Sequence, residues 1–482
     1  MDRQQRDQEI YRTFPFPLVK IMKYLVALCL LVSLMGCAGM RSHKQPFAEI
    51  EEKIGQGNYA AALAQVEAGK NKFYQEKDRV LYFLDAGMLL HYNANYTQSN
   101  EYLTQAEYAI EELFTKSISR GAASVMLNDN VLEYAGEDYE DVYLNLFKAI
   151  NFLEIGQFDA AFVEVRRINN KLNVLSDRYD QLAGEYNTAE EAEVEFKPGE
   201  SRFHNSALAR YMSMLMYRTE GNIDAARIDR NLISQAFETQ AQLYNFSKPE
   251  LDSHLSFTEQ AKLNVMAFTG RGPDKKARTL YIHTEKDHII IATTAEVPSG
   301  RQDLATLDVI RWPGVSEGYH FKFQLPVMEL RSSNIDRIRV VVDNNRRFEL
   351  QKMENIERIA EDMFRRKEPL IYLKTITRAV VKGLLSEKAK GEMTSRIDNP
   401  LLAFAARMAT DVAVDATENA DLRISRFFPA YAYVGEIDLQ PGVYDIRVDY
   451  LNRFGGIVHS ENYANFQVRR NGLNFIPTFH LN

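Results

Sequence analysis

Four stretches of the chain repeat one local pattern: Gly57-Asn58-Tyr59-Ala60-Ala61-Ala62, Ala94-Asn95-Tyr96-Thr97-Gln98-Ser99, Gly156-Gln157-Phe158-Asp159-Ala160-Ala161 and Gly221-Asn222-Ile223-Asp224-Ala225-Ala226. Each reads as a turn that leaves one helix and enters the next. Glycine, or Ala-Asn, permits the tight reversal; the aromatic or Ile packs back on the first helix, and the alanines let the second approach closely. Apolar helical stretches lie upstream, such as YLNLFKAINFL at 143–153. A chain constrained in this way four times must build its first half from helix pairs.

These units resemble tetratricopeptide (TPR) repeats, whose regular period is about 34 residues. Here the starts at 57, 94, 156 and 221 are 37, 62 and 65 residues apart, so an irregular α-solenoid with inserted helices or loops is expected over residues 46–248.

After Pro249 the period changes. LNVMAF at 263–268 is short and stops at Gly270-Arg271-Gly272-Pro273, which favours a strand. Segments 278–284, 288–294, 319–325, 337–343 and 346–350 follow, rich in β-branched and aromatic residues, with Asp343-Asn344-Asn345 as a hairpin turn. A second β run comprises 431–439, the turn Gln440-Pro441-Gly442, 443–451, 457–468 and 473–479. Between the runs, 352–366, 370–390 and 401–416 read as helices. The expected fold class is therefore α+β and multidomain: the TPR-like solenoid, then a β-sandwich-like domain with a helical insertion. Its first β segment covers 249–351, the insertion 352–420 and the second segment 421–482, because neither run alone would cover both faces of a sandwich.

The N-terminus carries a different signal. Residues 24–36 form a short apolar run after Lys20 and Lys23, ending Leu34-Met35-Gly36-Cys37. A membrane-spanning helix needs roughly 20 apolar residues, so a secretory signal is expected at 1–36, with Met22 as an alternative start. The last four residues look like a lipobox, in which cleavage precedes a lipidated cysteine. Lipidation of Cys37, a tether at 37–45 and residence on the periplasmic face of the outer membrane are the expectations. Cys29 would leave with the signal, so the chain from Cys37 has no second thiol.

Residues 1–36 hold five Lys or Arg and three acids, so removing them takes the net charge from −8 to −10. A negative chain without a long basic run lacks an electrostatic grip on nucleic acid or on an anionic bilayer surface. Membrane attachment then rests on the lipid.

Signals for chemistry are sparse. Gly314-Val315-Ser316-Glu317-Gly318 matches G-x-S-x-G, but Trp312-Pro313 before it and a strand-like segment after it fit an inter-strand loop, not a nucleophile elbow. His283, Glu285, Asp287 and His288 are metal-ligand types, yet the stretch reads as a polar turn and no partner motif exists elsewhere. No catalytic residue, metal or cofactor is expected. Candidate partner-binding residues are Gly270, Arg271, Gly272, Lys275 and Lys276, where glycines beside positive charge could face an anion or an acidic patch. Arg166 and Arg167, after the clearest repeat turn, are the others.

The run NDNVLEYAGEDYE at 128–140, continuing through 147–153 to 164–169, resembles a family of uncharacterised bacterial outer-membrane lipoproteins with TPR-like N-terminal regions. Thr269-Gly270-Arg271-Gly272-Pro273, Ala420-Asp421-Leu422-Arg423 and LQPGVY at 439–444 look like later landmarks of that family; Gly272 stands where alanine is expected, and Phe427-Phe428-Pro429 replaces a Trp-containing stretch. The resemblance implies no established activity. Its members are often encoded beside lipoproteins similar to the curli-secretion pore subunit or to activators of peptidoglycan synthases. The function expected is a lipid-anchored periplasmic scaffold or adaptor for envelope proteins; the alternative is a cell-wall or glycan hydrolase with its site in the β domain.

Overall fold

A computed structural model of the chain describes residues 47–120, 129–188, 197–296, 302–312, 315, 317–318, 320–378 and 419–482. Cys37, Met22, Gly314, Ser316 and the helix expected at 401–416 lie outside the described residues.

The first half consists of helix pairs: α1 (Ala48–Gly55) with α2 (Tyr59–Ala68), α3 (Arg79–Tyr92) with α4 (Tyr96–Arg120), α5 (Asp138–Glu154) with α6 (Phe158–Asn187), and α7 (Ala207–Thr219) with α8 (Ile223–Thr239). The repeated pattern falls on the four connections. Gly57, Ala94, Gly156 and Gly221 all have left-handed backbones, with φ of 73°, 58°, 74° and 80°. In each turn the following residue donates its N–H five residues back, as Asn58 does to Lys53 O at 2.8 Å and Gln157 to Phe152 O at 2.7 Å. This ending satisfies carbonyls that the departing helix leaves open. Asn58 and Asn222 then cap the next helix, their Oδ1 atoms accepting from Ala61 N and Ala225 N at 3.2 Å each. Successive pairs pack against one another through α2 and α3, α4 and α5, and α6 and α7.

The second half builds three four-stranded sheets from β1 (Ala261–Thr269), β2 (Asp274–Glu285), β3 (His288–Glu296), β4 (Gln302–Arg311), β5 (His320–Glu329), β6 (Arg337–Val342), β7 (Arg346–Glu349), β8 (Gln351–Asn355), β9 (Tyr431–Leu439), β10 (Gly442–Leu451), β11 (Ile457–Val468) and β12 (Asn474–His480). Their orders are β12-β1-β9-β8, β11-β10-β6-β7 and β4-β3-β2-β5. Central β1 runs parallel to β12 and antiparallel to β9, with Val265 opposite Ile476 and Gly435.

β1 is buried along almost its whole length because both its faces are covered. Leu263, Val265 and Ala267 join Ile338, Val340, Val448, Tyr450 and Ile476 in one apolar core shared by the first two sheets. Phe268 instead meets Phe147 of α5, with ring centroids 5.2 Å apart. Tyr92 of α3 packs on Phe479 of β12 at 4.6 Å. A strand covered on both faces reads as a continuous apolar run, which is how 263–268 appears in the sequence. Gly435 in β9 marks the close approach of the sheets: a Cβ there would lie 2.6 Å from Leu350 Cδ2.

Helices and strands form one compact unit from Ala48 to Asn482; α8 ends at Thr239 and β1 starts at Ala261. Two expectations need correction. Residues 302–311, read as no element, form β4. The helix expected from 352 starts only at α9 (Ile356–Phe364), because 351–355 pair with β9 as β8 and Asn355 Oδ1 caps the helix at 3.1 Å from Arg358 N. Of the helix expected at 370–390, residues 368–378 are described and helical. The turns at 343–345 and 286–287 are present, with left-handed Asp343, Asn344 and Asp287.

Candidate functional site

Two of the stretches that carry the resemblance, 128–140 and 420–423, meet at one place. Arg423, 4 % exposed, spends all five of its N–H groups there. Its Nε donates to Asp421 Oδ1 at 2.9 Å; Nη1 to Asp78 Oδ1 at 2.9 Å and Leu132 O at 3.1 Å; Nη2 to Asp129 O at 2.8 Å and Asp421 Oδ2 at 2.7 Å. The guanidinium thus pins the 129–137 segment, which Tyr134 N also ties to Lys77 O at 2.8 Å.

That segment ends at Gly136, with φ 80°, and Glu137 caps α5. Glu140 Oε2 accepts from Glu137 N at 2.8 Å, while the Glu137 carboxylate accepts from the Glu140 backbone in return. This reciprocal pairing satisfies two donors of the helix start. Lys275 from β2 and Lys367 after α9 both pair with the Glu137 carboxylate, and Lys275 also donates to Arg423 O at 3.0 Å. Burial alone would raise Glu137, but the two ammoniums hold it below the usual carboxylate range. Glu140 moves the other way. Burial first, then the Glu137 charge, push it up to about 7.

Above this ion cluster opens a cleft of about 280 Å³. Leu113 and Phe114 of α4, Leu175 and Leu182 of α6, and Leu370 and Ile371 of segment 368–378 wall it; Glu137, Lys275, Lys367 and Arg423 reach it from the floor. Asp138 also lines it, holding Tyr179 OH at 2.7 Å. The volume lies at the low end for small-molecule pockets, and the apolar walls with a few convergent polar groups are what such sites share.

The floor's charges are answered internally: Glu137 by two lysines, Arg423 by Asp78 and Asp421. Glu140 has a value suited to proton transfer at neutral pH, but it is fully buried. Its oxygens are taken by Tyr134 OH at 2.8 Å, Glu137 N, and Ser425 N at 2.6 Å. A substrate in the cleft cannot touch it.

The candidate residues named from the sequence fare differently. Gly270 is left-handed and a Cβ there would lie 2.9 Å from the Ala430 Cβ; Gly272 N donates to Phe428 O at 2.7 Å. Lys275, expected to face a partner, is turned inward onto Glu137 because it belongs to β2 and only 4 % of it is exposed. Lys276, on the opposite face of that strand, is exposed and pairs with Glu329. Arg271 pairs with Glu51 at 3.0 Å. Arg166 is exposed and stacks over Phe162 at 4.2 Å. Arg167 is half-exposed but joins an interhelical ion network, 3.2 Å from Glu107 and 3.6 Å from Glu164, which also engages Lys148 and Lys171. None of these arginines or Lys276 lines the cleft. Glu137, Lys367 and Arg423 do, and none was singled out for a site; two of them lie inside the landmark runs, the one signal that pointed to them.

Trp312 and Val315 pack with Ile376 against Leu280, Ile282, Ile289, Ile291 and Phe323 of the third sheet. Among the described residues no group of three or more His, Cys, Asp or Glu is arranged to hold a metal ion, and no helix is long and apolar enough to cross a membrane. No protein-family model and no curated protein matches the chain.

Proposed function

We propose that the protein is a lipid-anchored periplasmic scaffold of the outer membrane, held to its leaflet by acyl chains on Cys37, and that the cleft grips apolar side chains of an envelope-protein partner. In this reading the helix pairs act as an irregular solenoid, and the first two sheets as a sandwich that braces it. The likeness to the uncharacterised outer-membrane lipoproteins belongs to the same proposal. The observation that carries it is the cleft itself: aliphatic and aromatic walls contributed by helix pairs, above a floor whose charges are already neutralised. Half-exposed Phe114, Leu182, Leu370 and Ile371 are apolar surface that water solvates poorly, and a partner's side chains would cover it.

Photo-crosslinking tests this. A photoreactive residue at Leu182 or Leu370 should yield an adduct with one envelope protein in intact cells. The same group at Val443, an exposed position on β10, should not. Equal labelling from all three positions would remove the cleft from the binding surface. Glycan cleavage by the purified chain, with no adduct formed, would replace the scaffold with the hydrolase.

A further inference from the structure

The acids that line the cleft divide by what answers them. Glu137 pairs with Lys275 and Lys367, Asp141 with Lys171 at 2.6 Å, Asp421 with Arg423 at 2.7 Å, and Glu133 with Arg79 at 3.3 Å. Asp129, Asp138 and Glu185 line the same cleft, yet among the described residues none of the three carboxylates has an ion-pair partner. The cations of the cleft are the reverse case. Lys275, Lys367, Arg178 and Arg423 all hold carboxylates, and Lys374 is not free either. What the cleft has to spare is therefore acceptor oxygen, not positive charge.

Asp138 is the most constrained of the three. It opens α5, and its Oδ2 accepts from Tyr179 OH of α6 at 2.7 Å, so the carboxylate is fixed from the neighbouring helix. Among the described residues its Oδ1 accepts no hydrogen bond. Burial raises Asp138 first; the Lys367 charge opposes the rise, and Glu137 and Asp141 add to it. A half-buried carboxylate with one unmet oxygen is a cost that a charged donor removes. The walls around it specify the rest of that donor. Leu175, Tyr179 and Leu182 follow one another at helical spacing along α6, and Leu370 stands across the cleft. An alkyl stem lies well against these leucines. Its charged end must be compact, because a guanidinium would bring five donors to a place that offers one free oxygen.

We propose that the cleft takes a lysine side chain of the partner, with its methylenes along Leu175, Leu182 and Leu370 and its ammonium on Asp138 Oδ1. This rests on the scaffold reading of the cleft and names what the cleft selects. Lysine buries its stem and keeps its charged head at a polar group, which is the division that the leucines and Asp138 make. The ammonium supplies the ion pair that Lys367, spent on Glu137, leaves open. Glu185, exposed on α6, gives the entrance the sign that attracts it.

Ligand-observed NMR titration of the full chain decides it, with n-pentylamine as the probe for a lysine side chain and 1-pentanol as the same stem without charge, both at neutral pH and constant ionic strength. The wild type should hold the amine about tenfold more tightly than the alcohol. Asp138→Asn keeps an acceptor for Tyr179 OH and should erase that preference, whereas Leu182→Ala should weaken both probes. Should Asp138→Asn fail to fold, Asp138→Glu keeps the charge and should keep the preference. In cells, Asp138→Asn should cut the adduct yield from photoreactive Leu370 about tenfold at equal protein level. Equal affinity for amine and alcohol in the wild type, or a preference that survives Asp138→Asn, would overturn the lysine site and leave an apolar cleft. So would an undiminished yield of the same adduct, which would keep the scaffold. Binding of neither probe would overturn the cleft as a grip and the lysine site with it.

Discussion

Two buried carboxylates fasten the helix pairs to the β region, and they do so by opposite means. Glu137, at the start of α5, is matched by two ammoniums from the β side, Lys275 and Lys367. Glu354, in β8, is matched by neutral donors from the helical side: Ser206 Oγ at 2.7 Å, Tyr244 OH at 2.8 Å, Leu208 N at 2.9 Å, and Tyr143 OH. Glu137 is held below the usual carboxylate range, against burial, by its cations; Glu354 is raised, because burial outweighs its neutral donors. The difference follows from position. A charge-compensated cluster tolerates the cleft above it, where water can solvate it in part, whereas hydrogen bonds from hydroxyls and a backbone N–H complete a site sealed from solvent.

The contrast is most severely tested by Glu137→Ala, which strands two ammoniums in the interior. Urea denaturation should show a loss of about 3–5 kcal/mol. Replacing Glu137, Lys275 and Lys367 together by Leu and Met should recover most of it, because apolar groups of similar volume need no compensation. A loss below about 1 kcal/mol from Glu137→Ala would mean that the cluster is solvated and the two sites are not opposites.

At the neutral site, Glu354→Gln keeps one acceptor oxygen but turns an amide N–H₂ toward donors that already point inward. The expected cost is about 1–2 kcal/mol, read in the same assay. A cost matching that of Glu137→Ala would put the two sites on one footing.

Dependence on pH separates them further, with smaller amplitude. Glu137 has a folded value below its unfolded one, so its contribution is present above the ordinary carboxylate range and fades as pH falls through the folded value. Glu354 and Glu140 have raised folded values; they favour the folded state in acid, and that contribution is lost as pH rises, for Glu140 through about 7. Their contribution should therefore decline between pH 5 and 8, and Glu140→Gln should remove the Glu140 part of that decline. A decline unchanged in Glu140→Gln would assign it to other groups.

The smallest effect calibrates the scale outside both sites. Ala94 holds a left-handed turn that Gly57, Gly156 and Gly221 fill elsewhere. Ala94→Gly should stabilise by about 1 kcal/mol, and Gly156→Ala should destabilise by a similar amount from backbone strain alone, since a Cβ at Gly156 would meet nothing within 4 Å. Equal and small shifts in melting temperature of opposite sign are the expected result.

The chain's own order determined what depends on neighbours. Residues 57, 94, 156 and 221 announced their turns because a left-handed residue followed by an Asn or Gln and a new helix start is a local arrangement, complete within about six positions. The strands at 431–451 announced themselves by the Pro-Gly turn between them, and β1 by its apolar run. Local pattern failed at 302–311, where Asp303 and Asp308 interrupt the alternation and residues 306–309 are exposed, and at 351–355, where pairing with β9 overrode helix-like composition. The ion cluster was out of reach for a different reason. Lys275 and Glu137 are 138 residues apart, and Arg423 and Asp129 are 294 apart. Nothing in the residue types of Gly270 to Lys276 distinguishes the inward Lys275 from the outward Lys276; the pleat of β2, once the sheet has formed against the helices, decides which ammonium is buried and which meets water.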